Sequence, residues 1–202
     1  MRNDWKSLFW ISAATALTSM ANPLQASEFD YLDSHANSVT ATHQAGYKVQ
    51  IEPSFEALGE LHHRQASRDL MFRVSFAAYA NEGDLILIHA ETLEDASGVL
   101  DYGSLPQTML NGLSFALQEQ CVPAEAAAAL ETNREAMFVK EQGYQLNLPF
   151  HMTQFLVASP DGNAEVKISY GREVADCAAV SEDFKRETRR RVDEFIEVEQ
   201  IE

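Results

Sequence analysis

Phe72-Arg73-Val74-Ser75-Phe76 runs through Asn81-Glu82-Gly83-Asp84 into Leu85-Ile86-Leu87-Ile88, a passage that reads as strand, turn and returning strand. Alternation of Phe72, Val74 and Phe76 with Arg73 and Ser75 puts the apolar side chains on one face. Gly83 can take the positive φ that a tight turn needs. The returning run is apolar at consecutive positions, so it is predicted to lie centrally with both faces covered.

Outward from this hairpin, Gly46-Tyr47-Lys48-Val49-Gln50-Ile51-Glu52 alternates cleanly and predicts a strand closed by Pro53. Between Ser54 and Arg68, the spacing of Phe55, Leu58 and Leu61 favours a short helix, against Gly59. A loop is expected over Asp95 to Pro106. Asn111-Gly112 then signals a turn, and Leu113, Phe115 and Leu117 suggest a further strand. Pro123 to Gln142 reads as the clearest helix: proline sits at its first position, alanine fills its start and Gly143 ends it. Its expected apolar stripe is Ala126, Ala127, Leu130, Met137 and Phe138.

Phe155 to Ala158, the turn Ser159-Pro160-Asp161-Gly162-Asn163, and a strand through Val166, Ile168 and Tyr170 form a second hairpin. Alternation with Glu165, Lys167 and Ser169 predicts that the last strand is half-exposed. Ser181 to Glu202 reads as a polar helix capped by Ser181. Hairpins with segregated helices predict an α+β fold over residues 46–202: a mostly antiparallel sheet packed by a central and a C-terminal helix. Residues 27–45, poor in large apolar side chains, are expected to be a flexible lead-in.

The opening of the chain has the layout of a secretory signal. Arg2 and Lys6 precede an uncharged run from Leu8 to Ala21, and Ala26 offers a small residue for cleavage, with cleavage after Ala21 as the alternative. A membrane anchor is the competing reading, but a spanning helix needs about 20 apolar residues, and this run is shorter and contains Ser12, Thr15, Thr18 and Ser19. The expected location is periplasmic or secreted, with residues 1–26 removed and no stable membrane span left.

Of 15 basic and 31 acidic residues, Arg2, Lys6 and Asp4 fall in the leader, leaving 13 against 30. A surface so negative repels nucleic acid and anionic lipid, and suits solubility or a basic protein partner. Cys121 and Cys177 both lie in the exported part, which predicts one disulfide, with two buried thiols as the alternative.

Candidate chemistry is thin. His89-Ala90-Glu91 matches the start of a zinc-deaminase motif, but the Cys-x-x-Cys that must follow is absent. His89 is therefore expected to be a sheet-edge or satisfied core residue. In Glu60-Leu61-His62-His63 the adjacent histidines point to different sides, so they cannot easily share one metal, and solvated histidines near a turn are expected. There is no Gly-x-Ser-x-Gly elbow and no phosphate-cradling glycine loop. Lys185, Arg186, Arg189, Arg190 and Arg191 concentrate basic charge on the last helix, where i,i+4 pairs Glu187–Arg191 and Arg190–Glu194 are expected.

No catalytic residue, metal site or cofactor is assigned by these patterns. The functional expectation is an exported, non-catalytic binding or accessory protein acting on another protein or an envelope component. An envelope hydrolase whose site assembles only in the fold, and a periplasmic inhibitor of a basic enzyme, are the alternatives. A deep pocket that gathers His62, His89 or His151 with a carboxylate would favour the first alternative, and a shallow apolar patch rimmed by acids would favour binding.

Overall fold

A computed structural model of the protein describes residues 29–67, 69–147 and 149–201, so the leader predicted for residues 1–26 lies outside them. Among the described residues, eleven strands make two antiparallel sheets. The larger is built from β4 (Glu56–Ser67), β5 (Leu70–Ala80), β6 (Asp84–Leu93), β7 (Gln107–Leu110), β8 (Leu113–Val122), β9 (Phe150–Ala158) and β10 (Ala164–Glu173), in the order β4-β5-β6-β10-β9-β8-β7. The smaller comprises β1 (Leu32–His35), β2 (Ser38–Ala41), β3 (Tyr47–Ile51) and β11 (Ile196–Gln200), in the order β1-β2-β3-β11. The fold is mixed but dominated by sheet, more so than the helix-packed sheet that the sequence suggests.

Both predicted hairpins form, and their registers show why β6 is apolar at consecutive positions. It pairs with β5 on one edge and β10 on the other, and packed layers cover both of its faces, Ile86 and Ile88 facing one cluster and Leu85 and Leu87 the other. One face of the seven-stranded sheet carries Ala77, Tyr79, Ile86, Ile88, Ile168 and Tyr170 and packs against Val39, Val49 and Ile51 of the smaller sheet. The other carries Phe72, Val74, Phe76, Leu85 and Phe150 and packs against Val139 of a short helix. Burying a large apolar side chain contributes about 1.5–3 kcal/mol, so these two layers outweigh any single polar contact in the protein.

Several expectations are corrected. Residues 32–41 are not a flexible lead-in but the β1–β2 hairpin, with Leu32, Val39 and Ala41 buried. Ser54 to Arg68 contains no helix among its described residues; it contains β4, whose register shifts between Ala57 and Gly59. Gly59 takes φ +119° there. A one-residue bulge brings positions three apart onto the same side, which is why Leu58 and Leu61 both pack on one cluster and imitate a helical period.

The region Pro123 to Gln142 is not one helix. A 3-10 turn (Ala124–Ala126) leads into α1 (Ala127–Leu130), the chain breaks, and α2 (Arg134–Glu141) starts anew with the Asn133 side chain accepting from Ala136 N at 2.8 Å. The restart changes the phase: α2 buries Ala136 and Val139, while Met137, expected inside, is 43% exposed. Gly143 ends it at φ +94° as anticipated. The C-terminal helix, α3 (Glu182–Phe195), is capped by Ser181 but stops at Phe195, where the alternation of Ile196 and Val198 with Glu197 and Glu199 makes β11. Of its predicted pairs, Arg190 does meet Glu194, but Arg191 turns to Asp84 instead of Glu187. Arg189 reaches Glu119. Part of the basic cluster is therefore spent tying α3 to the sheet. Among the described residues no helix is long and apolar enough to cross a membrane.

Cys121 on β8 and Cys177 in the 3-10 turn Cys177–Ala179 form a disulfide, with Cα atoms 5.6 Å apart and a sequence separation of 56. The bond ties the sheet to the segment that leads into α3. Replacing both cysteines by serine is expected to lower stability by about 2–4 kcal/mol, chiefly by freeing the unfolded chain. A urea midpoint that does not fall would show that the crosslink adds nothing.

Gly171 on central β10 has no room for a side chain. A Cβ there would lie 2.6 Å from Phe150 Cζ and 2.8 Å from Met152 Sδ. Gly171→Ala is expected to cost about 1–3 kcal/mol by overpacking. Equal thermal midpoints for variant and parent would contradict that packing.

Candidate functional site

The face of the large sheet covered by α2 holds a half-open recess. Its floor is Leu85, Leu87, His89, Lys167 and Ser169, its far wall Phe150, Met152 and Gln154, and its near wall Glu135, Ala136 and Val139 of α2. Gln120, Val122, Leu130, Asn133 and Leu146 stand around it, and the space inside is about 200 Å3. Drug-sized ligands use about 300–1,000 Å3, so this recess suits an apolar group the size of one large side chain.

Polar residues reach the recess because β10 is central. Glu165, Lys167 and Ser169, predicted to face water, face α2 and its approach, and Glu165 and Ser169 are buried. Register explains the charge pattern. His89 pairs with Lys167, and on the neighbouring row of the same face Glu91 pairs directly with Glu165. Two carboxylates opposite each other repel. Lys167 answers one of them diagonally, donating from Nζ to Glu91 at 2.7 Å. The Tyr102 hydroxyl, from the loop after β6, donates to Glu165.

Helix α2 closes the cluster with one carboxylate. His63 Nε2 donates to Glu135 Oε1 and His89 Nε2 to Glu135 Oε2, each at 3.1 Å. His63 and His89 are 4% and 2% exposed. Burial on its own would raise the Glu135 pKa, but the His89 ring, the two donated hydrogen bonds and Lys167 hold it well below the usual carboxylate range. Burial likewise pushes Glu91 up, and Lys167 and His89 outweigh it, so it is lowered. Glu165 goes the other way: burial and the facing Glu91 push it up to about 8. Burial disfavours the Lys167 charge, yet Glu91, Glu135 and Glu165 hold its pKa above the ordinary value.

Of the histidines singled out in the sequence, His63 and His89 meet on Glu135, whereas His62 and His151 join neither. His89 alone is in the recess, as a core residue of a central strand and not a sheet-edge one. Its Nδ1 is buried without a partner, and its ring lies 4.9 Å from that of Phe76. His63, expected to be solvated near a turn, is buried mid-strand, while His62 points to the opposite face and meets Ser75. That divergence of neighbours agrees with their expected inability to share a metal. His151 lies on the opposite face too, 1% exposed, edge-on to Phe184 of α3, with both ring nitrogens unpartnered.

Glu135 and Lys167 were invisible as site residues in the sequence, two among many charges, and Glu91 stood out only through the His89-Ala90-Glu91 triplet. One signal existed: a central β6 must have a neighbour covered on both faces, so the polar face of that neighbour must be internally paired. No family model, curated protein or solved structure matches the chain.

Proposed function

We propose that the protein is an exported, non-catalytic binding protein whose recess beneath α2 receives an apolar anchor from another protein or an envelope component. One observation carries this reading: most of the lining is apolar, and the ionisable groups in and beside it are already partnered. Glu135 is held by two histidines, Lys167 by Glu91 and Glu165 by Tyr102. Such a floor orients the helix and leaves the apolar walls to do the binding. The disulfide and the leader-like start support export.

The hydrolase alternative draws on the His89–Glu135 pair, in which a carboxylate orients an imidazole. Against it, the free nitrogen, Nδ1, is buried. The hydroxyl in the recess, Ser169, accepts from Gln154 Nε2 at 3.1 Å, and no hydrogen bond joins it to a histidine among the described residues. Without a nucleophile beside the base, the pair reads as a brace.

The test is capture from envelope extract on the immobilised chain lacking residues 1–26, in parallel with Gln120→Trp, which places an indole at the exposed rim. Trp5 and Trp10 are the only tryptophans and lie in the leader, so the new indole also reports its own environment by fluorescence. The expected result is a discrete partner held by the parent at low and high salt and lost by the variant. Equal capture by both chains would remove the recess from the account. Loss from both at high salt would favour the acidic inhibitor reading instead.

A further inference from the structure

On the opposite face of the sheet, His62 and two carboxylates, Asp30 and Glu60, converge. The Ser75 hydroxyl accepts from Tyr31 N at 2.9 Å and donates to the Phe29 carbonyl at 2.9 Å. His62 Nδ1 lies 3.0 Å from the same oxygen. A serine has one hydrogen to give, and it goes to Phe29, so His62 Nδ1–H must be the donor to Ser75. In the neutral ring the lone pair is then on Nε2. That nitrogen faces Asp30 Oδ1 at 3.9 Å and Glu60 Oε2 at 3.8 Å, too far for hydrogen bonds and with acceptors on every side.

From this geometry we infer that Asp30, Glu60 and His62 bind a divalent transition ion of the zinc type. The three ligand atoms all lie within 4.8 Å of one another. Tetrahedral zinc with bonds of about 2.1 Å places its ligands about 3.4 Å apart, so the two carboxylates must close on His62 Nε2 by about half an ångström and on each other by up to about 1.4 Å, a movement within reach of side chains that are partly exposed, and that exposure leaves the fourth site to water. Two carboxylates cancel the ion's charge. The imidazole favours a borderline ion over calcium or magnesium, which prefer all-oxygen shells. Ser75 is the orienting partner that metal-bound histidines characteristically have on their other nitrogen. The ligands come from the segment before β1 and from β4, so the ion would pin that segment to the edge strand of the large sheet. This surface is separate from the recess and does not depend on its function.

The experiment is calorimetric titration of chelator-treated protein with zinc, and separately with magnesium and calcium, alongside 15N NMR of the His62 ring. One equivalent of zinc is expected to bind, magnesium and calcium not, with the His62 Nε2 resonance shifting on binding. Asp30→Asn, on an exposed residue, and His62→Ala are each expected to weaken zinc binding at least tenfold. Ser75→Ala, which keeps all three ligands, should weaken it about 10–100-fold. Absence of zinc binding, zinc binding that His62→Ala leaves unchanged, or a doubly protonated His62 ring indifferent to zinc would each overturn the assignment.

Discussion

Glu135→Ala is expected to destabilise the protein by about 3–5 kcal/mol, the cost of removing one partner from a buried charged cluster. The substitution leaves the Nε2 atoms of His63 and His89 without the acceptor they share, and both rings are almost fully enclosed. The loss should be local before it is global. Helix α2 has only two turns and buries only Ala136 and Val139, so without Glu135 its amide hydrogens should exchange as fast as those of a loop. Glu135→Gln should fall between, since its amide oxygen can accept from one histidine but its NH2 meets the other's N–H. The pH dependence has a definite sign. Because the folded carboxyl is held well below 4.5, its contribution is complete above the ordinary carboxyl range and disappears as the solution is acidified through the folded value. Urea midpoints for the parent should therefore drop on acidification more steeply than those of Glu135→Gln. Parallel curves would mean that the carboxylate is not the brace.

The second large effect has the opposite sign. The Glu165 carboxyl is raised from 4.5 to about 8, first by burial and then by Glu91 across the strand pair. A raised carboxyl favours the folded state while it is protonated. Its contribution is complete below 4.5 and is lost as pH climbs through about 8. The protein is thus expected to be most stable in mild acid, between the windows of Glu135 and Glu165. Raising the pH from 5 to 9 should cost on the order of 4 kcal/mol through this group. Glu165→Gln mimics the neutral form and keeps an acceptor for the Tyr102 hydroxyl. It should flatten the alkaline limb and be more stable than the parent at pH 8 by about 3 kcal/mol. Thermal midpoints across pH 5 to 9 decide it: a parent that gains stability over that range would show that the Glu91–Glu165 row is ionised without penalty.

The two hairpins were legible because turn signals and alternation coincide there: Gly83 and Gly162 mark the turns between apolar runs, although of the two only Gly162, at φ +66°, takes the positive φ expected of them. Legibility failed where one residue upset the count. The bulge beside Gly59 gave β4 the spacing of a helix, and Asn133, a cap hidden inside an alanine-rich run, split a helix that propensity alone would have continued. In β11, Ile196 and Val198 alternate with glutamates, yet the preceding helical charges obscured the change of period. The recess failed for a different reason. Strand alternation reports two chemically distinct faces without saying that one is wet. Glu165 and Lys167 belong to a buried polar face, which follows only from the pairing of β10 between β6 and β9.

The most direct measurement of a preformed apolar recess is methyl-detected NMR of the chain lacking residues 1–26, titrated with p-cresol and with indole as stand-ins for tyrosine and tryptophan anchors. Saturable shifts confined to Leu87, Val139, Leu146 and Met152, and abolished in Gln120→Trp, are the expected result. Shifts that are absent, or scattered over both faces of the sheet, would contradict the recess as a binding place.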